Sequence, residues 1–453
     1  MDAPVATDVQ TVDHDAIERV FQAQKAALRR LKATAADERR AKLARLKSVI
    51  EANADAIDAA LHADLRKPRM GAQHFEIQSV LADIDLAIAE LDDWMAPTPV
   101  EPSPRFAGAR AHVAYEPRGV CLLFGAWNFP FHLVFSPLVP IVAAGNAAIV
   151  KPNELQPETS AVTARIVREA FSEDEVAVFE GGLTTAEALL DLPVDHIFFT
   201  GSPAVGKRIM AAAAKHLASV TLELGGKCPA ILDETANLDA AAAKIVQARF
   251  MNAGQLCLAV DHVWVPTSRR DELVERLKAA VQALFYKDGA LNTGLMARMV
   301  NARNMARVTS YLTDAKARGA TIWGGSVDEN DLTVHPAVIT DLPLDSELMQ
   351  HEIFGPLLPV IGYQDVDEAF DFLDAAGKPL ALYLFSRDQA FTDRVLASTS
   401  SGGVTINDVL CHAMENRLPF GGVNQSGIGV YHGVHGFREL SHARSIFTQS
   451  NTG

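Results

Sequence analysis

The sequence contains few cysteines, no basic segment and no long hydrophobic run. Its four cysteines, Cys121, Cys228, Cys257 and Cys411, stand far apart without a CxxC pair, which argues against a disulfide scaffold or a thiolate zinc site. With a formal net charge of -15, nucleic acid and anionic membranes are poor candidates as partners. No stretch reaches the roughly 18 apolar residues of a membrane helix, and the polar start MDAPVATDVQ is not a signal peptide. We therefore predict a cytoplasmic protein without a metal site and without a nucleic acid or membrane partner.

The composition is that of an ordinary globular protein, because 49% of the 453 residues are hydrophobic and 21% are charged. This length predicts two or three domains. Residues 14–95 are rich in Ala, Leu, Glu, Lys and Arg, a composition and pattern that predict long amphipathic helices. The prolines of PTPVEPSP (97–104) exclude a helix there, and we expect this segment to cross between domains.

From Gly119 onward, short apolar runs alternate with helical patterns. The predicted strands of the first series are VCLLFG (120–125), AAIVK (147–151), DHIFF (195–199), SVTLEL (219–224) and PAIL (229–232), and Ala-rich helices are predicted at 157–171, 203–217 and 237–251. A second series comprises HVWV (262–265), a helix over 269–286, ALYLFS (381–386) and GGVTIN (402–407). This alternation predicts an α/β fold with parallel sheets covered by helices. The last fifty residues, which include PFGGVNQSGIGVYHG (419–433), are expected to be irregular.

Two segments are candidates for holding a nucleotide. GSPAVGKR (201–208) forms a glycine-rich turn between a strand and a helix, where free N–H groups can meet a phosphate. It is one residue short of a Walker A loop and has Arg208 in place of the magnesium-binding hydroxyl, so a P-loop hydrolase is a weaker alternative. Lys151-Pro152-Asn153-Glu154 follows a strand, at the sheet edge where nucleotides bind. A purely structural turn is the alternative for each segment.

Cys257 lies in the apolar stretch NAGQLCLAVD (252–261). Taken alone, it is more often a core residue than a nucleophile, because free cysteine is among the most buried residue types. A catalytic thiol would need a donor for an oxyanion, which Asn128 in WNFP (127–130) could provide. It would also need a base to activate water, a role open to Glu223 in LELGGK (222–227).

A further segment, HEIFGP (351–356), offers a carboxylate and a flat apolar ring in Glu352 and Phe354. Such a pair suits a nicotinamide riboside. Each of these residues also has an ordinary structural alternative. Asn128 could cap a helix, Glu223 could pair with Lys227, and Phe354 could belong to the core.

Read together, the motifs follow one order along the chain. They are Trp127-Asn128-Phe129-Pro130, Lys151-Pro152-Asn153-Glu154, Phe199-Thr200-Gly201-Ser202, Glu223-Leu224-Gly225-Gly226-Lys227, Gly254-Gln255-Leu256-Cys257, Glu352-Ile353-Phe354-Gly355-Pro356 and Pro419-Phe420-Gly421-Gly422. This series resembles the NAD(P)-dependent aldehyde dehydrogenase superfamily from about residue 15 to 448. The compact N-terminus and the C-terminal segment 402–442 are most similar to the class 3 branch, and within it to bacterial coniferyl aldehyde dehydrogenases.

The resemblance implies a role for each matching residue. Cys257 matches the nucleophile, Asn128 the oxyanion donor and Glu223 the general base. The implied cofactor contacts are Trp127, Lys151, Glu154, Gly201, Ser202, Glu352 and Phe354. We expect NAD rather than NADP, because the negative charge of Glu154 would repel a 2′-phosphate.

The implied fold has a three-layer Rossmann-like NAD-binding domain (1–97 and 121–223), an α/β catalytic domain (224–405) and a small β-rich oligomerisation element (98–120 and 406–453), usually in a homodimer. The implied reaction oxidises a hydrophobic or aromatic aldehyde, such as coniferyl aldehyde, to the acid. Medium- or long-chain aliphatic aldehydes are an alternative, as are a thioester-forming reductase and a non-catalytic protein of the same fold. Leu256, Val260, Asn424 and Arg417 depart from the family pattern and leave the aldehyde open.

Overall fold

The computed structural model describes residues 12–449. Its helices are α1 His14–Lys32, α2 Ala36–Ala52, α3 Ala54–Leu65, α4 Arg69–Gly71, α5 Ser79–Met95, α6 His132–Ala144, α7 Pro157–Ala170, α8 Leu183–Leu190, α9 Pro203–Ala214, α10 Leu238–Phe250, α11 Thr267–Phe285, α12 Ala302–Ala317, α13 Glu347–Gln350, α14 Asp367–Ala376, α15 Gln389–Ser398, α16 Cys411–Met414 and α17 Gly433–Glu439. A π-helical segment, Ala72–Gln78, joins α4 to α5.

The strands are β1 Thr98–Val100, β2 Arg110–Pro117, β3 Val120–Phe124, β4 Ala147–Lys151, β5 Val176–Val178, β6 His196–Thr200, β7 Ser219–Glu223, β8 Pro229–Leu232, β9 His262–Pro266, β10 Tyr286–Lys287, β11 Ala290–Leu291, β12 Thr321–Gly324, β13 Val327–Asp328, β14 Thr333–Val334, β15 Ala337–Thr340, β16 Leu357–Tyr363, β17 Ala381–Phe385, β18 Gly403–Ile406, β19 Gly427–Ile428 and β20 Ser441–Thr448. Two larger sheets, one three-stranded sheet and two short ribbons result. The α/β fold with parallel sheets is confirmed.

The first large sheet has the order β19-β7-β6-β3-β4-β5 and is parallel except for β19. Successive residues of β3 point to opposite faces. Leu122 packs in a core with Ile17 and Phe21 of α1, whereas Leu123 packs in a core with residues of α5 and α6. Helices therefore cover both faces of the sheet, which gives the three layers predicted from the sequence.

The second large sheet has the order β12-β15-β16-β9-β8-β17-β18 and is parallel apart from the β12–β15 pair. The third is the antiparallel sheet β1-β2-β20. In it β20 pairs with β2 from Ser441 to Thr448, so the expectation of an irregular C-terminal segment is wrong there. Because β19 lies in the first sheet, part of the predicted 406–453 element pairs with the predicted NAD-binding region. The domain boundaries stay a prediction.

Candidate active site

Two cavities meet at the ends of the strands of the two large sheets. The larger, about 730 Å³, is an open cleft over the ends of β3, β4, β6 and β7. The smaller, about 470 Å³, is lined mainly by apolar side chains between α5, α6 and the C-terminal loops. Of the described residues, only Asn128 and Cys257 border both cavities. The structure therefore brings two of the predicted catalytic residues to a single junction.

The segment before Cys257 has an unusual backbone. After α10 ends at Phe250, Asn252, Ala253 and Gly254 all adopt positive φ, at 52°, 55° and 71°. At Gly254 a Cβ would collide with the carbonyl oxygen of Gly355, so a side chain is excluded by both conformation and space. This turn reverses the chain after α10 and leaves Cys257 at the junction.

Gln255 holds this turn in place from within the protein. Its fully buried amide donates to the carbonyl oxygens of Asn252 and Arg298, both at 3.0 Å, and accepts from the backbone N–H of Val300 at 3.0 Å. A buried amide with each of these groups paired is rigid. Gln255, which is unexpected in an apolar interior, is thus explained as a support for the cysteine loop.

Asn128 is tied to the same loop. Its amide nitrogen donates to the carbonyl oxygen of Gln255 at 3.2 Å, which leaves one amide N–H for another acceptor. The backbone carbonyl oxygen of Asn128 accepts hydrogen bonds from Asn252 Nδ2 at 3.0 Å and from Lys67 Nζ at 2.9 Å. Asn128 does not cap a helix, because α6 begins at His132 with Phe131 at the N-cap.

The charges around Cys257 are negative. Burial raises the pKa of its thiol to about 12, and the carboxylates of Glu352 and Glu223 add to the shift. The backbone N–H groups of Cys257 and Leu258 act in the opposite direction. None of the main influences on this pKa is a cationic side chain, so the electropositive setting expected for a thiolate is not provided by the side chains of the described residues.

Glu223 ends β7 and its side chain is 2% exposed. Burial raises the pKa of its carboxyl well above the usual value, and the charge of Glu439 raises it further. Neither carboxylate oxygen has a hydrogen-bond partner among the described residues. The alternative pairing with Lys227 does not occur, because Lys227 forms a buried ion pair with Asp261. Glu223 lines neither cavity, although its charge reaches Cys257 and Tyr431.

The predicted ribose contacts lie at the end of β4. Lys151 is buried, and its Nζ contacts Glu154 Oε2 at 2.8 Å and the carbonyl oxygen of Pro152 at 3.2 Å. Both Lys151 and Glu154 line the cleft, and the Glu154 side chain is 47% exposed. The carboxylate is therefore accessible from the cleft, while the lysine fixes its position.

The glycine-rich turn also faces the cleft, through Gly201 and Ser202. Ser202 is the N-cap of α9, so the positive end of this helix lies at the cleft, where an anion is favoured. Arg208, one turn into α9, lines the cleft as well. In the sequence Arg208 indicates only that the magnesium-binding hydroxyl of a P-loop is absent, whereas the fold places it in the cleft.

Glu352 and Phe354 line the opposite part of the cleft with Trp127. The rings of Phe354 and Trp127 meet edge to face with centroids 5.3 Å apart, so Phe354 is not a core residue. Burial raises the pKa of Glu352 to about 7. Its carboxylate lies against Gly225, where any Cβ would collide with it. The glycine of the LELGGK motif thus provides space for a second buried carboxylate.

The apolar cavity contains residues that sequence analysis missed. Besides Leu256 and Leu258, which flank the thiol, its wall includes Phe75, Asp83, Phe129, His132, Met251, Leu410, Met414, Phe420, Tyr431 and His432. Phe129 and Phe420 belong to motifs recognised in the sequence, but the other side chains come from distant parts of the chain and no local motif marks them. Arg417 does not enter the cavity, because it pairs with Glu90 at 3.1 Å on an exposed surface.

The comparisons with known proteins identify the family of this chain. The family model described as "Aldehyde dehydrogenase family" matches residues 1–446. The chain belongs to the aldehyde dehydrogenase family. Members of this family oxidise small aldehydes with NAD or NADP, and the cleft of this enzyme is lined by the residues predicted from the sequence to contact such a cofactor.

Individual relatives place the enzyme near class 3. It is 40% identical to mouse "Aldehyde dehydrogenase family 3 member A2" over 90% of this chain and 83% of that protein. It is also 40% identical to a "Probable coniferyl aldehyde dehydrogenase" of Caulobacter vibrioides over 99% of this chain and 94% of that protein. A solved structure, "Substrate bound state of Staphylococcus Aureus AldH", superposes with a TM-score of 0.92 at 38% identity, covering 96% of this chain and 95% of that chain. The predicted family, class 3 relatives and fold are confirmed.

Other sequence predictions concern absences. Across residues 12–449, the enzyme has no helix that is long and apolar enough to cross a membrane. Within the same range, no group of His, Cys, Asp and Glu side chains could hold a metal ion. All four cysteines are free thiols.

Proposed function

We propose that the enzyme oxidises an aromatic or otherwise hydrophobic aldehyde to the carboxylic acid, with Cys257 as nucleophile and NAD as hydride acceptor. The observation that carries this proposal is the position of Cys257 and Asn128, which border both the apolar cavity and the cofactor cleft. A carbonyl carbon placed at that junction can meet a thiol, an amide donor and a cofactor at once. The alternative of a P-loop hydrolase has no comparable support.

The chain's own groups define the steps. The Cys257 thiolate attacks the aldehyde carbon, and the free amide N–H of Asn128 together with the Cys257 backbone N–H stabilises the resulting oxyanion. Hydride acceptance is the chemistry that NAD supplies when it is held by the cleft. Loss of hydride leaves a thioester on Cys257 Sγ. Glu223 then removes a proton from water, which hydrolyses the thioester and releases the acid.

The base role of Glu223 distinguishes hydrolysis from acyl transfer. A thioester-forming reductase has no need of a buried carboxylate near the thiol, whereas Glu223 has two unpaired oxygens and a raised pKa at that position. Its side chain must turn from its buried position to reach the thioester, since it lines neither cavity. The unpaired carboxylate supports a hydrolytic dehydrogenase.

The choice of NAD rests on Glu154, and the substrate class rests on the cavity wall. An exposed carboxylate can accept hydrogen bonds from ribose hydroxyls and repels a 2′-phosphate, although the positive charge of Arg208, which also lines the cleft, reduces the preference for NAD. Four aromatic rings, those of Phe75, Phe129, Phe420 and Tyr431, line the apolar cavity. Such walls favour aromatic aldehydes, and a relative's name, coniferyl aldehyde dehydrogenase, supports this class over aliphatic chains.

The test replaces the nucleophile. Cys257→Ala is expected to abolish NADH production from cinnamaldehyde, because no other group at the junction can form the thioester. The matched control is Cys411→Ala, which removes an exposed thiol that lines neither cavity and should retain activity. Parallel assays with NAD, NADP and an aliphatic aldehyde of similar length test the cofactor and substrate preferences. Full activity in Cys257→Ala contradicts the mechanism.

A further inference from the structure

The apolar cavity contains one carboxylate, that of Asp83 on α5. Among the described residues that line the cavity, Asp83 is the only aspartate, glutamate, lysine or arginine. The neighbouring lining positions of the same helix face are Ser79 and Ala82. An isolated carboxylate in an apolar substrate cavity is costly to bury, which raises the question of what compensates it.

The protein compensates this carboxylate only in part. Ser136 Oγ donates to Oδ2 at 2.6 Å, and Asn416 Nδ2 lies at the limiting distance of 3.5 Å from Oδ1. No cation of the described part of the chain forms an ion pair with it. His132, one turn before Ser136 on α6, is neutral at pH 7, because burial and the charge of Lys67 lower its pKa to about 4.

The carboxylate therefore has capacity for another donor. An ionised carboxylate offers about four lone-pair sites, and only one of its contacts here is short. Burial raises the pKa of Asp83 to about 6, so the ionised form still dominates at neutral pH. A hydroxyl group brought in by a ligand would satisfy the acceptor that the protein leaves open.

The position of Asp83 relative to the thiol determines which part of a substrate it meets. Glu76 is the residue of this helical run that is linked to the junction. It accepts a hydrogen bond from the backbone N–H of His132 at 2.8 Å and pairs with Lys67, which donates to the backbone carbonyl oxygen of Asn128. Asp83 lies seven residues further along the same helical run, about 10 Å at about 1.5 Å per residue. A bound aldehyde would therefore reach Asp83 with the end remote from its carbonyl group.

We propose that Asp83 accepts a hydrogen bond from a phenolic hydroxyl at the far end of an arylpropenal substrate. This inference rests on the function proposed above and specifies its substrate class. In such a substrate a two-carbon bridge separates the aldehyde from a 4-hydroxyphenyl ring, so the length matches the span between the junction and Asp83. The ring lies among the aromatic side chains of the wall, and the O–H group donates to the carboxylate.

The test compares two substrates of nearly equal shape, 4-hydroxycinnamaldehyde and 4-methylcinnamaldehyde, by their kcat/KM values. The unmodified enzyme is expected to prefer the hydroxyl compound by about 10- to 100-fold, because the methyl analogue leaves the buried acceptor unpaired. In Asp83→Leu this ratio should fall to roughly one, since no acceptor remains. In Asp83→Asn, which keeps the shape and a neutral acceptor, it should take an intermediate value.

Asp85→Asn is the matched control, because Asp85 lies on the same helix but pairs at the surface with Lys47 at 2.6 Å. This variant should keep the full preference. If Asp83→Leu does not fold, the substrate ratio of Asp83→Asn still shows whether the charge of the Asp83 carboxylate contributes to the preference. A ratio near one in the unmodified enzyme, or a ratio unchanged in both Asp83 variants, overturns the subsite while leaving aldehyde oxidation intact. Absence of NADH from both compounds in the unmodified enzyme overturns the proposed function itself.

Discussion

At the scale of single residues, burial raises the pKa of both the proposed nucleophile and the proposed base, but the consequences for their roles are opposite. Burial raises the pKa of Cys257 to about 12, which disfavours the thiolate that attack requires. The same burial raises the pKa of Glu223 well above its usual value, which makes it a stronger base once it is ionised. The thiolate of Cys257 therefore needs stabilisation by hydrogen-bond donors at the junction, whereas the basicity of Glu223 follows from its own desolvation.

The base role of Glu223 can be isolated from the attack by Cys257. In Glu223→Gln the thioester should still form, because the nucleophile and its donors are unchanged. We expect a rapid burst of NADH equal to about one equivalent per site, followed by turnover slowed by about 10²- to 10⁴-fold. Stopped-flow fluorescence of NADH measures both phases. Steady-state turnover equal to that of the unmodified enzyme would remove Glu223 from this role.

The pH dependence of turnover gives a control for this prediction. Glu223 acts as a base only when ionised, so turnover should fall as pH falls through its raised pKa. The charge of Glu439 contributes to that elevation. Glu439→Gln should therefore shift the acidic limb of the pH–rate profile to lower pH. A shift in the opposite direction would contradict the electrostatic link between the two carboxyl groups.

At the scale of elements, the sequence predicts strands with an uninterrupted apolar pattern better than strands whose pattern is broken or exposed. β3 and β8 are continuous apolar runs buried along their length, and β4 is apolar up to its last residue, Lys151; such runs carry a strong local signal. β16 contains Pro359 and Gly362, and β20 is mostly exposed, so their strand conformation depends on pairing with distant partners. Strand pairing of this kind cannot be read from a local pattern.

The same contrast applies to the site. Cys257, Asn128 and Glu223 lie in short motifs with a readable chemistry, and the structure places them at or near one junction. Asp83 lies in a helix whose pattern indicates only amphipathic packing, and Lys67 lies in the short loop between α3 and α4. Their contacts with Ser136 and with the Asn128 backbone come from segments far away in sequence. The π-helical segment Ala72–Gln78 contributes Phe75 to the cavity wall, although nothing in its sequence marks a departure from α-helix.

The link between the N-terminal helices and the Asn128 loop is a buried ion pair. Lys67 and Glu76 pair in the interior, where Lys67 also donates to the Asn128 carbonyl oxygen at 2.9 Å. Glu76→Gln should lower the free energy of unfolding by about 3–5 kcal/mol, because it leaves the Lys67 cation buried without its counter-charge. Urea denaturation measures this change.

The double variant Lys67→Met/Glu76→Gln removes both charges and keeps an acceptor for the backbone N–H groups of Phe131 and His132. It should recover much of the stability yet show a lower kcat, because the Asn128 carbonyl loses one donor. Lys47→Met, which breaks the surface pair with Asp85, is the control and should cost at most about 1 kcal/mol. Equal losses in Glu76→Gln and Lys47→Met would show that the buried pair has no special role.

At the scale of the whole molecule, the sheet β1-β2-β20 stands apart from the two large sheets. Its edge strand β20 is mostly exposed from His442 to Thr448, and Phe447 is 49% exposed while its ring meets Phe106 at a centroid distance of 5.1 Å. An eight-residue strand with a free edge is a template for pairing with another chain. We therefore propose that the enzyme forms a homodimer through this sheet.

Light scattering coupled to size-exclusion chromatography tests this arrangement. The unmodified enzyme should elute with twice the mass of the chain, and Phe447→Asp should shift it towards the monomer, because a carboxylate would be buried at the new interface. Leu217→Asp is the matched control, since Leu217 is 93% exposed but lies after α9, outside this sheet. It should leave the mass unchanged. A monomeric unmodified enzyme, or equal dissociation by both substitutions, would exclude β20 as the contact surface.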